Sequence, residues 1–410
     1  MKRKISRLLV AVTAAAGLAL ATTAATASAL AAPASTSAAT PAVAAASQVR
    51  AGCPAGAPGT MACLDLIRTD VKGVLADAMR PGATPSGYGP SQLESAYKLP
   101  SSTAGSGQTV AIVDAYNDPN AASDLAVYRT QYGLPACTVA SGCFKKVSQT
   151  GSTTSLPAKN AGWATEESLD IDMVSATCPL CHIILVEATT ASNKNLGLAV
   201  DEAATLGANA ISNSYGGTDV SDATWGKYYD HPGIAVTASA GDSGYGVSYP
   251  ASSTYVTGVG GTSLKTASNS RGWTETAWSG TGSGCGKYNT KTTGQGTVTT
   301  SCTKKAVADV SADANPSTGV AVYDSTADAG SVGWQVYGGT SVASPIIASV
   351  YALAGSSAND NNNTPYAHTG SLFDVTSGSN GSCTTKVWCT AGVGWDGPTG
   401  LGTPDGDGAF

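Results

Sequence analysis

HIILVE at 182–187, LGLAVDEAATL at 196–206 and ANAISNS at 208–214 decide the fold between them. They read in turn as a strand, a helix and a second strand. The same alternation extends outward in both directions. Upstream, QTVAIVD (108–114) is a compact apolar run closed by an acid, the pattern of a buried strand, and EESLDIDMVSA (166–176) reads as a helix. Downstream, GIAVTAS (233–239) is another strand, and a helix over 341–354 opens just after Gly338-Gly339-Thr340. Strands that alternate with helices imply an α/β fold: a doubly wound, mostly parallel sheet with helices on both faces. In such a sheet the chemistry belongs at the carboxyl ends of the strands.

Composition agrees with a large buried core. Of 410 residues, 42% are hydrophobic and only 12% are charged, against a usual charged share of about 25%. A net charge of −6 and a pI near 5.0 argue against a nucleic-acid partner, which calls for a basic patch. The N-terminus begins MKRKISR, with four positive charges and no acid, and continues into an Ala/Leu/Val-rich stretch ending near Ala27-Ser28-Ala29. That is the layout of a secretory signal over 1–29, so an extracellular location is expected. No other segment approaches the roughly 20 apolar residues of a membrane span. Residues 30–85, rich in Ala, Pro, Ser and Thr, read as a linker or short propeptide with one helical run near Leu64–Met79. The main domain is expected over 86–410, as a monomer, with 266–306 as surface loops.

Ten cysteines fall into close neighbours: Cys53/Cys63, Cys137/Cys143, Cys178/Cys181, Cys285/Cys302 and Cys383/Cys389. Neighbour pairing into short disulfide loops is the expectation for an exported chain. Cys178-Pro-Leu-Cys181-His182 also matches the c-type haem attachment pattern. The plainer reading is a disulfide turn between a helix and a strand. Gly241-Asp242-Ser243-Gly244 resembles the nucleophile loop of chymotrypsin-like proteases. That chemistry needs a histidine base, and none of His182, His231 and His368 lies in a base-bearing motif.

The sharpest motif is Gly339-Thr340-Ser341-Val342-Ala343-Ser344-Pro345. A serine that opens a helix after a glycine turn has an accessible hydroxyl, and the free N–H groups of the helix end favour a developing oxyanion. Taken alone it could equally be a helix cap. The string looks like the nucleophile motif shared by subtilisins and sedolisins. A subtilisin-type base is missing, since no His-Gly-Thr segment follows Asp114. Glu166 and Asp170, four apart, share a helix face. Two carboxyls so placed share a proton and can replace histidine in acid; a solvated acidic helix start is the ordinary alternative.

The order Glu-x-x-x-Asp, strand, Ser-Tyr-Gly, Ala-Gly-Asp-Ser-Gly and Gly-Gly-Thr-Ser-x-x-x-Pro resembles the sedolisin (serine-carboxyl peptidase) family, from about Gly87 to Phe410. The resemblance implies Ser341 as nucleophile, Glu166 as base and Asp170 as its orienting partner. Glu167 is the competing base, although it does not match the family position. It also implies Asp242 at the oxyanion position, where a carboxyl must be protonated to donate, and Asp114 as a supporting acid behind the triad. Near the C-terminus it implies one structural Ca²⁺, held by the side chains of Asp374 and Asp396 and the carbonyls of Val375, Gly392 and Gly394. These are hard oxygen donors suited to that ion. The expected activity is secreted endopeptidase action on proteins or peptides in acid. The alternatives are a degenerate peptidase scaffold that only binds, and a tripeptidyl-aminopeptidase. One departure stands out: at most about 55 residues separate the signal from the domain, too few for a typical independent prodomain.

Overall fold

In the computed structural model the central sheet runs in the order 144–148, 182–188, 109–115, 210–213, 235–239, 257–266 and 273–277, and the strand Val310–Asp313 also pairs with Thr257–Thr266. All these pairings are parallel except the one to the edge strand Trp273–Ala277. The structure describes residues 48–79, 83–355 and 363–410. The expected signal, and the linker before residue 48, lie outside the described residues. No helix among the described residues is long and apolar enough to cross a membrane.

The apolar run at 109–115 shows why the sheet is covered on both sides. Val110 and Ile112 join one buried cluster with Leu169 and Val174 of helix Ala161–Thr177 and with Val342 and Ile346 of helix Thr340–Ala354. Ala111 and Val113 point the other way, into a cluster with Leu196, Ala199, Val200 and Ala203 of helix Asn193–Thr205. Successive residues of a strand face opposite sides, so a continuous apolar run needs a helix on each. Register then sets the acids: Asp114 lies directly beside Glu187 at the carboxyl ends of adjacent strands.

Two expectations need correction. The stretch Leu64–Met79 is not helical, apart from a single 3-10 turn at Ala76–Ala78. Ala62–Cys63 instead pairs antiparallel with Tyr215–Thr218, and Leu66–Arg68 pairs antiparallel with both Val49–Ala51 and Ser331–Gly338. Asp65 and Ile67 are buried while their neighbours are only partly so, which is the period of two of a strand. Residues 48–79 and 83–85 thus belong to the same compact unit as the rest of the described chain. The 266–306 region is likewise more than surface loops. It supplies the edge strand Trp273–Ala277 and the fully buried Gln295 and Lys305. The Lys305 ammonium lies 2.6 Å from the Asp309 carboxylate, also fully buried, and donates to the Val256 carbonyl.

All five cysteine pairs form the neighbour disulfides expected from their spacing. Cys178 and Cys181 are bonded to each other, so their sulfurs are not placed for haem attachment.

Losing one member of a buried ion pair strands the other, at a cost of about 3–5 kcal/mol. Lys305→Met is therefore expected to lower unfolding free energy by about that amount in a denaturant titration. A change within about 0.5 kcal/mol would show that the donors remaining on Asp309 suffice.

Candidate active site

Three elements deliver the site. Helix Ala161–Thr177 starts where the Asn160 side chain accepts the Trp163 N–H at 3.1 Å, which satisfies one of the open donors of its first turn. From Trp163 to Thr177 every residue is buried, so its acids are not a solvated face. Helix Thr340–Ala354 opens after Gly339, whose φ is +94°. A Cβ on Gly339 would lie 2.0 Å from the Leu64 carbonyl oxygen and 2.5 Å from Asp242 Oδ2, so only glycine fits this crossing. The third element is Ser214, immediately before the strand Tyr215–Thr218.

Ser341 Oγ donates to the Ser214 carbonyl at 3.1 Å, and the same hydroxyl works against the upward shift of the Glu166 carboxyl. Glu166 and Asp170 each act on the charge of the other, and Asp170 Oδ1 accepts from Ser214 Oγ at 2.7 Å. Glu166 Oε1 and Asp170 Oδ2 are buried without a hydrogen-bond donor. Both carboxyls sit well above the usual carboxylate range, first because they are buried and then because neighbouring acids oppose further charge. A buried acid pair in this state holds one proton between its members. Glu167 points elsewhere: its Oε2 accepts the Asp118 N–H at 2.9 Å, and its charged neighbours are Glu187, Asp118, Asp114 and Lys146. Asp114 is fully buried with both oxygens unpartnered. It is raised by burial first, then by Asp65 and Glu187.

Asp242 is held by one oxygen only. Its Oδ1 accepts the Thr340 N–H at 2.8 Å and the Thr340 hydroxyl at 2.7 Å; Oδ2 is buried without a partner. Burial pushes this carboxyl up to about 7 against the lowering effect of Thr340. Below that pH the proton sits on the group, and Oδ2 is the oxygen free to present it. The Ser341 N–H reaches the Leu64 carbonyl oxygen at 3.4 Å, and that oxygen and Asp242 Oδ2 both crowd Gly339. No histidine takes part: His182 is exposed where its strand begins, His231 lies 3.3 Å from Asp201, and His368 is exposed.

Sequence reasoning missed Asp65, Ser214 and Thr340. Asp65 is fully buried, accepts from Thr165 Oγ1 at 2.7 Å, and is pushed up to about 6 chiefly by burial. It adds to the charge felt by Glu166 and Asp170. Thr340, next to the serine motif, could have been found as a partner for Asp242; nothing in the sequence points to Asp65.

The expected calcium residues converge in the C-terminal loops. Asp374 Oδ2 accepts the Gly394 N–H and Asp396 Oδ2 accepts the Gly392 N–H. Asp396 is pushed up to about 7, mainly by burial, with the Asp374 charge adding to the rise. Among the described residues, neither carboxylate has a lysine or arginine partner. Two neighbouring carboxylates without a cationic partner among the described residues fit a hard divalent ion.

The model of the subtilase family matches residues 158–372. The chain is 31% identical over 367 residues to kumamolisin of Bacillus sp. (strain MN-32), covering 80% of this chain and 64% of that protein. It is 36% identical over 179 residues to sedolisin of Pseudomonas sp. (strain 101), covering 39% and 29%. The chain belongs to the subtilase family, in its sedolisin branch. The chain thus spans less than two thirds of the length of these relatives. The structure of Pseudomonas sedolisin, a serine-carboxyl proteinase complexed with two molecules of pseudo-iodotyrostatin, superposes with a TM-score of 0.66 at 26% identity. That match covers 79% of this chain and 96% of the other, which fits the subtilisin-like layering of a sedolisin fold.

The carboxyls of this sedolisin-type site make its stability pH-dependent. Asp65 and Asp242 (about 6 and about 7), with Asp124 at about 6, Glu187 at about 7 and Asp324 at about 8, are all raised from ordinary values near 4, primarily by burial. A carboxyl with a raised folded pKa keeps its proton in the native state after the unfolded chain has lost its own. Its stabilisation is full below about pH 4 and is lost as pH climbs through the folded value. The melting temperature is expected to fall steadily between about pH 4 and pH 8. A melting curve that rises over that window would contradict these protonation states.

Proposed function

We propose that this chain is a secreted serine-carboxyl endopeptidase that cuts proteins in acid, with Ser341, Glu166 and Asp170 as its triad. The observation that carries this reading is the convergence of Ser341, Glu166 and Asp170 around Ser214, whose carbonyl accepts from the Ser341 hydroxyl and whose own hydroxyl donates to Asp170, with no histidine among them. Ser341 Oγ attacks the peptide carbonyl while its proton passes to Glu166. Asp170 keeps the proton shared within the pair, so Glu166 can act as a base without leaving two buried charges. Protonated Asp242 Oδ2 and the Ser341 N–H stabilise the oxyanion. Glu166 then gives its proton to the leaving amine. Water repeats the sequence on the acyl ester and restores Ser341. Asp114, buried behind the pair, opposes its full ionisation.

Ca²⁺ would be held by the Asp374 and Asp396 side chains with the carbonyls of Val375, Gly392 and Gly394. The ion would supply positive charge to the C-terminal loops and take no part in the chemistry.

On denatured casein, Ser341→Ala and Glu166→Gln are each expected to lower turnover by at least about 10³-fold with melting temperature kept, while Glu167→Gln stays active. Activity should fall as pH passes about 7, where Asp242 loses its proton, and Asp242→Asn should carry activity to higher pH. An active Ser341→Ala, or activity that rises steadily to pH 9, would exclude this mechanism.

Chelation is expected to lower the melting temperature, and added Ca²⁺ to restore it. In Asp396→Asn the chelator should change nothing. An equal chelator effect in that variant would place the ion elsewhere.

A further inference from the structure

Residues 62–68 lie extended across the candidate active site and mark where the residues of a bound peptide would lie. Ala62 and Cys63 pair antiparallel with Gly216 and Tyr215, and the Leu64 N–H reaches the Ser214 carbonyl at 3.2 Å. Leu66 and Ile67 pair antiparallel with Gly338 and Tyr337, on the strand that leads into Ser341. Between the two pairings, the Leu64 carbonyl oxygen accepts the Ser341 N–H at 3.4 Å. Asp65 therefore marks the position of the residue on the amine side of a carbonyl held at the nucleophile.

That position suits a carboxyl with its proton on. Asp65 is fully buried. Thr165 Oγ1 lies 2.7 Å from Asp65 Oδ2 and 2.6 Å from the Gly162 carbonyl oxygen. A threonine hydroxyl carries one proton, and a carbonyl can only accept. Both contacts are hydrogen bonds at once only when Thr165 donates to Gly162 and the carboxyl donates to Thr165. Gly162 and Thr165 belong to helix Ala161–Thr177, so they face any peptide that takes this place.

The surrounding charges favour the same form. The charged groups that act on Asp65 are Arg50, already paired with Asp328, and Asp328 itself. Asp65 in turn acts on Asp114, Glu166, Asp170, Asp242 and Asp324. A carboxylate here meets acids on most sides and one cation that is already engaged. It would also oppose the ionisation that Glu166 needs as a base. A neutral acid avoids both costs and keeps its hydrogen bond.

We propose that the site selects peptides with an aspartic acid directly after the scissile bond and takes that residue in its neutral form, with Thr165 as the residue that reads it. This deepens the peptidase reading and rests on Ser341 being the nucleophile. Asparagine is the matching isostere without a titration, because its amide N–H can donate to Thr165 at any pH. Alanine makes no such bond.

Three peptides that differ only after a leucine, with aspartate, asparagine or alanine there, would be followed as kcat/KM from pH 3 to 7. The enzymes compared are the wild-type chain, Thr165→Val and Thr165→Ser. At pH 3 the aspartate and asparagine peptides should each be cut after the leucine at least about tenfold faster than the alanine peptide. Above about pH 4, where a free aspartate side chain ionises, the aspartate-to-asparagine ratio should fall about tenfold per pH unit. The asparagine-to-alanine ratio should hold over that range. Thr165→Val should lower both ratios to alanine by about tenfold, and Thr165→Ser should keep them. Ratios within one preparation do not change when part of a variant is unfolded. Equal cutting of the three peptides at pH 3 would overturn the proposal and leave the peptidase reading standing. So would an aspartate-to-asparagine ratio that is flat with pH, or ratios unmoved in Thr165→Val. No cutting of any peptide or of casein would end both.

Discussion

The structure depends on one constraint: too many carboxyls are buried together for all of them to be charged. Asp65, Asp114, Asp118, Glu166, Glu167, Asp170 and Glu187 are all without solvent exposure. Lys146 pairs with Glu187 at 3.2 Å, and Arg50 acts on Asp65 from a distance. Isolated buried charges are too costly to keep, so the group neutralises by holding protons. The carboxyls must then satisfy one another and the backbone, as Glu167 and Glu187 do by sharing the Asp118 N–H. Acid chemistry is in this sense a condition of folding as well as of turnover.

The same crowding fixes the nucleophile. Pro345 lies inside helix Thr340–Ala354, and having no N–H it leaves the Ser341 carbonyl without its helical donor. Ser214 Oγ lies 3.4 Å from that carbonyl and 2.7 Å from Asp170. One hydroxyl thus ties the backbone of the nucleophile to the acid pair. Thr340 ties the adjacent turn to Asp242 through its N–H and its hydroxyl. The serine is located by hydrogen bonds to its neighbours as much as by the helix that carries it.

What the sequence discloses follows from how local each signal is. The runs at 109–115 and 182–188 and the helices at 161–177 and 340–354 carry their periodicity within themselves. So do Glu166 and Asp170, whose spacing alone puts them on one face. The choice between Glu166 and Glu167 is different. Adjacent helical residues point about 100° apart, and which direction meets the serine depends on the packing of two distant helices. Strands of two or three residues, such as Ala62–Cys63 and Leu66–Arg68, have no periodicity to detect. They exist because Tyr215–Thr218 and Ser331–Gly338 offer edges. Lys305 sits in a polar, glycine-rich stretch that reads as exposed, and only its pairing with Asp309 makes burial affordable.

Burial at the active site is therefore partly a property of the segment that covers it. Desolvation is the first cause of the upward shift at Asp65, Glu166, Asp170 and Asp242 alike. Leu64 lies directly over two of these groups, donating to Glu166 Oε2 at 2.9 Å and placing its carbonyl oxygen beside Asp242 Oδ2. Water admitted in its place would solvate the charged forms and draw these pKa values down. Asp65 adds its own charge to Glu166, so moving it out of the cleft acts in the same direction. Glu166 would then reach its basic form at lower pH in the open cleft than in the covered one. Asp242, losing cover in the same event, would give up its proton at lower pH as well. Opening the cleft thus moves both ends of the working pH range toward acid, and a substrate that refills it moves them back.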